Sequence, residues 1–90
     1  MDSKQVEDIA ALFREAGDAH HKAYSETDGF DPDWPIWYAD YLGERLRALL
    51  NASFSRSELV YLLVVLDRDL KANARGAGWA AYYARWLLGR

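Results

Sequence analysis

Residues 34–45, WPIWYADYLGER, decide the fold of this chain, because residues 79–90, WAAYYARWLLGR, repeat them. The two segments are identical at the paired positions Trp34/Trp79, Tyr38/Tyr83, Ala39/Ala84, Leu42/Leu87 and Arg45/Arg90. Two further pairs, Trp37/Tyr82 and Tyr41/Trp86, exchange one aromatic residue for another. An internal repeat is typical of a supersecondary unit that buries its apolar face against a neighbouring copy. We therefore predict two copies of one structural unit, packed against each other.

A longer helix is predicted before each repeated segment. Residues 4–25 place apolar side chains at spacings of three and four residues, the pattern of an amphipathic helix. Residues 56–74 follow a capping box, in which Ser55 and Glu58 satisfy each other's free backbone amides. The apolar faces of these two helices match at Ile9/Leu59, Leu12/Leu62, Phe13/Leu63, Ala16/Leu66 and His20/Leu70. The repeat thus extends over most of the chain.

The repeated segments themselves predict two shorter helices, over about residues 34–50 and 79–89. Residues 26–33 contain an Asp-Gly turn signal and a proline, which predict a loop between the first two helices. The glycines at 76 and 78 accept left-handed backbone angles and are expected to end the third helix. Each half of the chain is therefore a long helix, a turn and an aromatic helix.

Two such halves predict an all-α fold, with four helices arranged as two helical hairpins related by a pseudo-twofold axis. The whole chain, residues 1–90, forms one compact domain, with repeat halves of about 4–50 and 56–90. The run of residues 59–66 is apolar on every side of its helix. We expect the third helix to be central and the most buried element.

Composition and charge exclude several classes of protein. The chain has no cysteine, which excludes disulfides, thiolate metal sites and a cysteine nucleophile and favours a cytoplasmic location. The formal net charge of −3 argues against nucleic acid or an anionic membrane as a partner. The longest apolar run is too short to span a bilayer, and the N-terminus lacks the pattern of a secretory signal. We expect no membrane partner.

Residues 27–42, TDGFDPDWPIWYADYL, together with the HHKAY segment at 20–24, resemble a family of short bacterial helical proteins. That family shares the signature Asp-Gly-x-Asp-Pro-x-Trp-Pro-x-Trp-Tyr-Ala and a Ser-x-Ser-Glu-Leu start to its third helix. The resemblance covers nearly the whole chain and implies an all-helical fold. Because the family is uncharacterised, the resemblance implies no catalytic residue.

The aromatic residues are more numerous than one small core needs. Trp37 and Tyr41 form a stripe on the second helix that is partly separate from its main apolar face. Tryptophan and tyrosine are concentrated at the energetic centres of protein interfaces. We therefore expect a small interaction domain that self-associates or docks on a protein partner, with Trp37 and Tyr41 as its contact residues.

A metal site is the alternative. His20, His21, Asp28, Asp31 and Asp33 lie at the end of the first helix and in the following loop, and they are ligand types for a divalent transition metal. Their spacing is poor, because adjacent helical residues point about 100° apart. The structural interpretation of the same residues is that they are turn and cap residues, with a hydrogen bond from His20 to an aspartate across the hairpin.

No pattern of catalytic residues accompanies either interpretation. The chain contains neither a Gly-x-Ser-x-Gly nucleophile motif nor a glycine-rich phosphate loop. We predict no catalytic residues and no cofactor, apart from the metal of the alternative interpretation. A metal-dependent enzyme or sensor built on residues 20–33 remains the competing hypothesis.

Overall fold

Four α-helices make up the structure, a computed structural model that describes residues 3–73 and 78–89. The helices are α1 (Ser3–Ala23), α2 (Trp34–Leu50), α3 (Arg56–Asn73) and α4 (Trp79–Gly89). The predicted all-α fold is confirmed. The Cα radius of gyration is 12.7 Å, close to the value of about 12 Å typical of a compact domain of this length.

The ends of the helices follow the local sequence signals. The Ser55 Oγ accepts the amide N–H of Glu58 at 3.1 Å, and the Glu58 carboxylate accepts the amide N–H of Ser55 at 2.8 Å, which confirms the capping box. Helix α2 has a proline in its first turn and is capped at its C-terminal end by Asn51, a residue in the left-handed conformation. Most of the predicted turn at 76–78 lies outside the described residues.

Helix α1 ends two residues earlier than predicted. Residues Ser25–Thr27 form a 3-10 turn instead of continuing the α-helix. The amide N–H of Gly29 donates a hydrogen bond to the Tyr24 carbonyl at 2.8 Å, so the chain reverses direction before α2. Short 3-10 segments of this kind commonly close an α-helix.

The contacts between the two halves of the chain follow the repeat, whereas within the halves α1 packs closely against α2 and α3 only slightly against α4. Helix α1 packs most closely against α4 and α2, and α2 also packs against α3. Exchanging the two halves converts the α1–α4 contact into the α3–α2 contact. The largest fully buried side chains form one core: Ile9, Phe13, Leu42, Leu46, Leu59, Leu63 and Leu66.

Burial of individual side chains also follows the repeat. Both members of each of these pairs are buried: Ile9/Leu59, Leu12/Leu62, Phe13/Leu63, Ala16/Leu66, Ala39/Ala84 and Leu42/Leu87. The pattern fits two helical hairpins with the same internal face. None of the helices in the described ranges has the length and apolar character needed to cross a bilayer.

The expectation that the third helix is the most buried element is wrong. Helix α1 is the central helix instead, since it packs against both α2 and α4, whereas α3 packs mainly against α2. The outer side of α3 is left in solvent, and Tyr61 is 68% exposed there. An apolar run shows only the composition of a helix. How much of the helix is buried depends on how many other helices pack against it.

Candidate functional site

A cleft of about 590 Å³, open to solvent, lies where the two halves meet. Three repeat-related pairs line it: Trp34 and Trp79, Tyr38 and Tyr83, and His20 and Leu70. Since both halves contribute equivalent positions, we place the cleft on the pseudo-twofold axis and call it the axial cleft. Its volume is in the usual range for ligand sites, about 300–1,000 Å³.

The loop before α2 forms one side of the axial cleft and presents an exposed aromatic ring. Phe30 lines the cleft and is 71% exposed. Its backbone is fixed, because Thr27 Oγ1 donates to the Phe30 carbonyl at 2.8 Å and the Phe30 amide donates to the Thr27 carbonyl at 3.1 Å. Gly29 has φ of +85°, and a Cβ there would come within 2.9 Å of His21 Nδ1. The loop therefore holds the Phe30 ring in solvent by a defined backbone conformation.

A buried polar pair ties this loop to α1. His20 Nε2 lies 3.1 Å from Asp31 Oδ2, and the two side chains are 9% and 7% exposed. The other Asp31 oxygen accepts the amide N–H of Asp33 at 3.0 Å. Three aromatic rings surround the His20 ring, with centroid distances of 4.8–5.1 Å: Tyr24, Trp37 and Tyr38. The predicted His20–aspartate contact across the hairpin is confirmed, and its partner is Asp31.

The remaining metal candidates do not join this pair. His21, Asp28 and Asp33 are exposed, and His21 lies against Gly29. Asp28 occupies a left-handed turn position with φ of 55°. Within residues 3–73 and 78–89, no three side chains of metal-ligating type converge as a metal site requires.

The other carboxylate of the axial cleft is Asp67, on α3. Its Oδ2 lies 2.9 Å from Lys71 Nζ, and the Asp67 side chain is 26% exposed. Burial raises the pKa of the Tyr83 hydroxyl, and the neighbouring Asp67 charge raises it further. The repeat-related position in α1 is Gly17, where a Cβ would come within 3.1 Å of the Trp79 ring. The two halves thus differ at this position: the second half has the Asp67 carboxylate, whereas Gly17 in the first half leaves room for the Trp79 indole.

Trp37 and Tyr41, the predicted contact residues, lie beside α1 and do not line the axial cleft. Both are partly buried, and their rings stack with centroids 5.1 Å apart. The Tyr41 hydroxyl and Arg45 Nη2 each donate to Glu15 Oε2 at 2.6 Å. We call Trp37 and Tyr41 the α2 flank. The Tyr41 hydroxyl is thus occupied within the chain, and the Arg45 guanidinium lies over the Tyr41 ring, 5.2 Å from its centroid.

The contacts of Glu15 predict a pH effect on stability. Hydrogen bonds from Arg45 and then Tyr41 hold the pKa of Glu15 below its ordinary value of 4.5. A lowered folded-state pKa contributes stability above the unfolded-state pKa, and that stability is lost as pH falls through the folded-state pKa. Glu15→Gln should therefore unfold at lower urea concentration than wild type at about pH 7. The difference should shrink below about pH 4.5.

Urea unfolding of the two proteins at several pH values measures this. The exposed Glu44→Gln is the control for removing one negative charge from the surface. An equal difference between Glu15→Gln and wild type at neutral and acid pH would contradict the assigned role of the Glu15 carboxylate.

Sequence reasoning missed Phe30 and Asp67, two of the cleft residues that have no repeat-related partner in the lining. Phe30 falls in a loop, outside every helical periodicity. Asp67 becomes informative only when α3 is aligned with α1, which places it opposite Gly17. No protein family, curated protein or solved structure matched this chain.

Proposed function

We propose that this protein is a small interaction domain that binds a linear segment of a partner protein in the axial cleft, with Phe30 as a principal contact. The observation that carries the proposal is the exposure of Phe30, 71%, at a cleft whose walls hold four tryptophan and tyrosine side chains. Aromatic side chains dominate the energetics of protein interfaces. Full burial of a phenylalanine side chain contributes about 1.5–3 kcal/mol, and this contribution is available on binding.

The shape of the site favours a peptide segment. The cleft is open to solvent, and helices α2 and α4 supply its aromatic walls. Ordered walls lower the entropy lost when a ligand binds. The proposal requires no metal or other cofactor, and a cytoplasmic location remains part of it.

The α2 flank is the second candidate surface, because sequence analysis selects Trp37 and Tyr41. Self-association is the second kind of interaction, with another copy of the chain as the partner. Both alternatives can be distinguished from the axial-cleft proposal by experiment. The NMR signals of Trp34 and Trp79 detect binding in the axial cleft, that of Trp37 detects binding at the α2 flank, and sedimentation detects self-association.

A peptide selection followed by NMR tests the proposal. A displayed library of random linear peptides is selected on the immobilised protein, and enriched peptides are titrated into ¹⁵N-labelled protein. The indole N–H signals of Trp34 and Trp79, which line the axial cleft, should shift on binding. Phe30→Ala should weaken binding about tenfold, as expected for truncation of an interface hot spot.

Tyr61→Ala is the matched control, since Tyr61 is 68% exposed but does not line the axial cleft. It should leave peptide affinity unchanged. A selection that enriches no binding peptide contradicts the proposal. Peptides that shift only the Trp37 indole would assign binding to the α2 flank. A dimer in sedimentation experiments that Phe30→Ala dissociates would identify a second copy of the chain as the partner.

A further inference from the structure

We infer that the axial cleft recognises a cationic side chain, the ammonium group of a lysine, through the Asp67 carboxylate and the aromatic residues beside it. This inference rests on the proposed function and specifies the chemistry of the bound segment. Three observations support it: the surroundings of Asp67, the contact that Lys71 makes with Asp67, and the negative charge of residues 25–44.

Asp67 is the more exposed of the two carboxylates in the cleft lining. The second carboxylate in the cleft, Asp31, already contacts His20 and the Asp33 amide. Asp67 retains 26% exposure of its side chain, and its aromatic neighbour in the lining is Tyr83, whose hydroxyl has its pKa raised by burial and by the Asp67 charge. A carboxylate next to aromatic rings favours a cation, because the ring faces and the carboxylate attract positive charge together.

The free protein places an ammonium group at this carboxylate. Lys71 Nζ lies 2.9 Å from Asp67 Oδ2, one helical turn along α3. The Lys71 side chain is 66% exposed, and exposed ion pairs of this kind are weak. A ligand ammonium that also contacts the aromatic walls is therefore expected to displace Lys71 from Asp67.

The surrounding charge favours the same ligand. Residues 25–44 contain six acidic residues and no lysine or arginine. Of these, Glu26, Asp28 and Asp33 are exposed in the loop segment that carries Phe30. A surface with one sign of charge beside a binding cleft attracts ligands of the opposite sign and raises their association rate.

A pair of matched ligands tests the role of the cation. The probes are lysine with its α-amino and α-carboxyl groups blocked as amides, and the same derivative of norleucine, which lacks the ammonium group. Titrations followed by the Trp34 and Trp79 indole signals should show that the lysine derivative binds at least about fivefold more tightly. Equal affinity of the two derivatives would overturn the inference.

Two variants of the protein test the assigned residues. Asp67→Asn should weaken binding of the lysine derivative about tenfold, since a charge-assisted contact is lost. Lys71→Gln removes the internal competitor and should strengthen binding about two- to fivefold. Because Lys71 is exposed, this second variant keeps the test valid even if Asp67→Asn unfolds.

Asp69→Asn is the matched control, because it removes the same charge from the same helix. Asp69 accepts the Tyr82 hydroxyl and does not line the cleft, so its replacement should leave ligand affinity unchanged. Equal loss in Asp67→Asn and Asp69→Asn would overturn the assignment to Asp67. Selected peptides that bind at the axial cleft without a lysine requirement would overturn the inference alone, whereas the absence of any binding peptide would overturn the proposed function as well.

Discussion

Phe13→Ala is expected to lower the free energy of unfolding by about 3–5 kcal/mol, the cost of truncating a fully buried phenylalanine. Phe13 is 0% exposed, and its ring meets those of Trp79 and Tyr83 edge-on, at centroid distances of 6.2 and 5.4 Å. The substitution removes both aromatic contacts and leaves a cavity behind the axial cleft. Domains of this size have total stabilities of about 5–15 kcal/mol, so the variant should be close to unfolding. Equilibrium urea denaturation followed by circular dichroism measures the loss.

Two controls relate this effect to the repeat. Leu63 is the repeat-related residue and is also 0% exposed, so Leu63→Ala should cost about 2–5 kcal/mol. Tyr61 is exposed, and Tyr61→Ala should change stability by less than about 0.5 kcal/mol. A Phe13→Ala variant as stable as Tyr61→Ala would show that α1 is not packed against α4 as described.

The fold was largely predictable because its signals are local. Apolar residues at helical spacing predict α1, and the Ser55–Glu58 capping box marks the start of α3. The pairing of Trp34 with Trp79 predicts two related hairpins, which burial of the repeated positions supports. The central helix was not predictable in the same way. Burial of Tyr61 depends on which helices lie beside α3, and the composition of α3 carries no information on its neighbours.

The candidate site was less predictable than the fold, because it is formed by residues from both halves. The surplus of aromatics is visible in the sequence, but their spacing on α2 singled out Trp37 and Tyr41. In the structure, the cleft is lined by Trp34 and Tyr38 together with their repeat-related partners. The His20–Asp31 contact follows from the local sequence, since the histidine ends α1 and the aspartate lies in the next turn.

The His20–Asp31 pair provides the second large expected effect on stability. Asp31→Ala leaves a buried imidazole nitrogen without a partner and should cost about 1–3 kcal/mol. His20→Leu leaves the Asp31 carboxylate in the same buried position without its partner, with a comparable loss. Leucine suits this position, since Leu70 occupies the repeat-related site and lines the same cleft. Urea denaturation of both single variants measures these losses.

The double variant His20→Leu/Asp31→Ala tests whether His20 and Asp31 stabilise the fold through their contact with each other or through separate contacts with other residues. The double variant leaves neither the imidazole nitrogen nor the carboxylate without its partner, and the loss of the Asp33 amide contact is common to it and to Asp31→Ala. It should therefore be less destabilised than the sum of the single variants, by about 0.5–3 kcal/mol. Strict additivity would mean that the 3.1 Å contact contributes nothing, and that His20 and Asp31 act through their separate neighbours. A positive coupling would instead assign the pair a structural role, that of fixing the loop which carries Phe30 to the end of α1. The position of the Phe30 ring at the axial cleft then depends on two side chains of the cleft lining that are paired with each other.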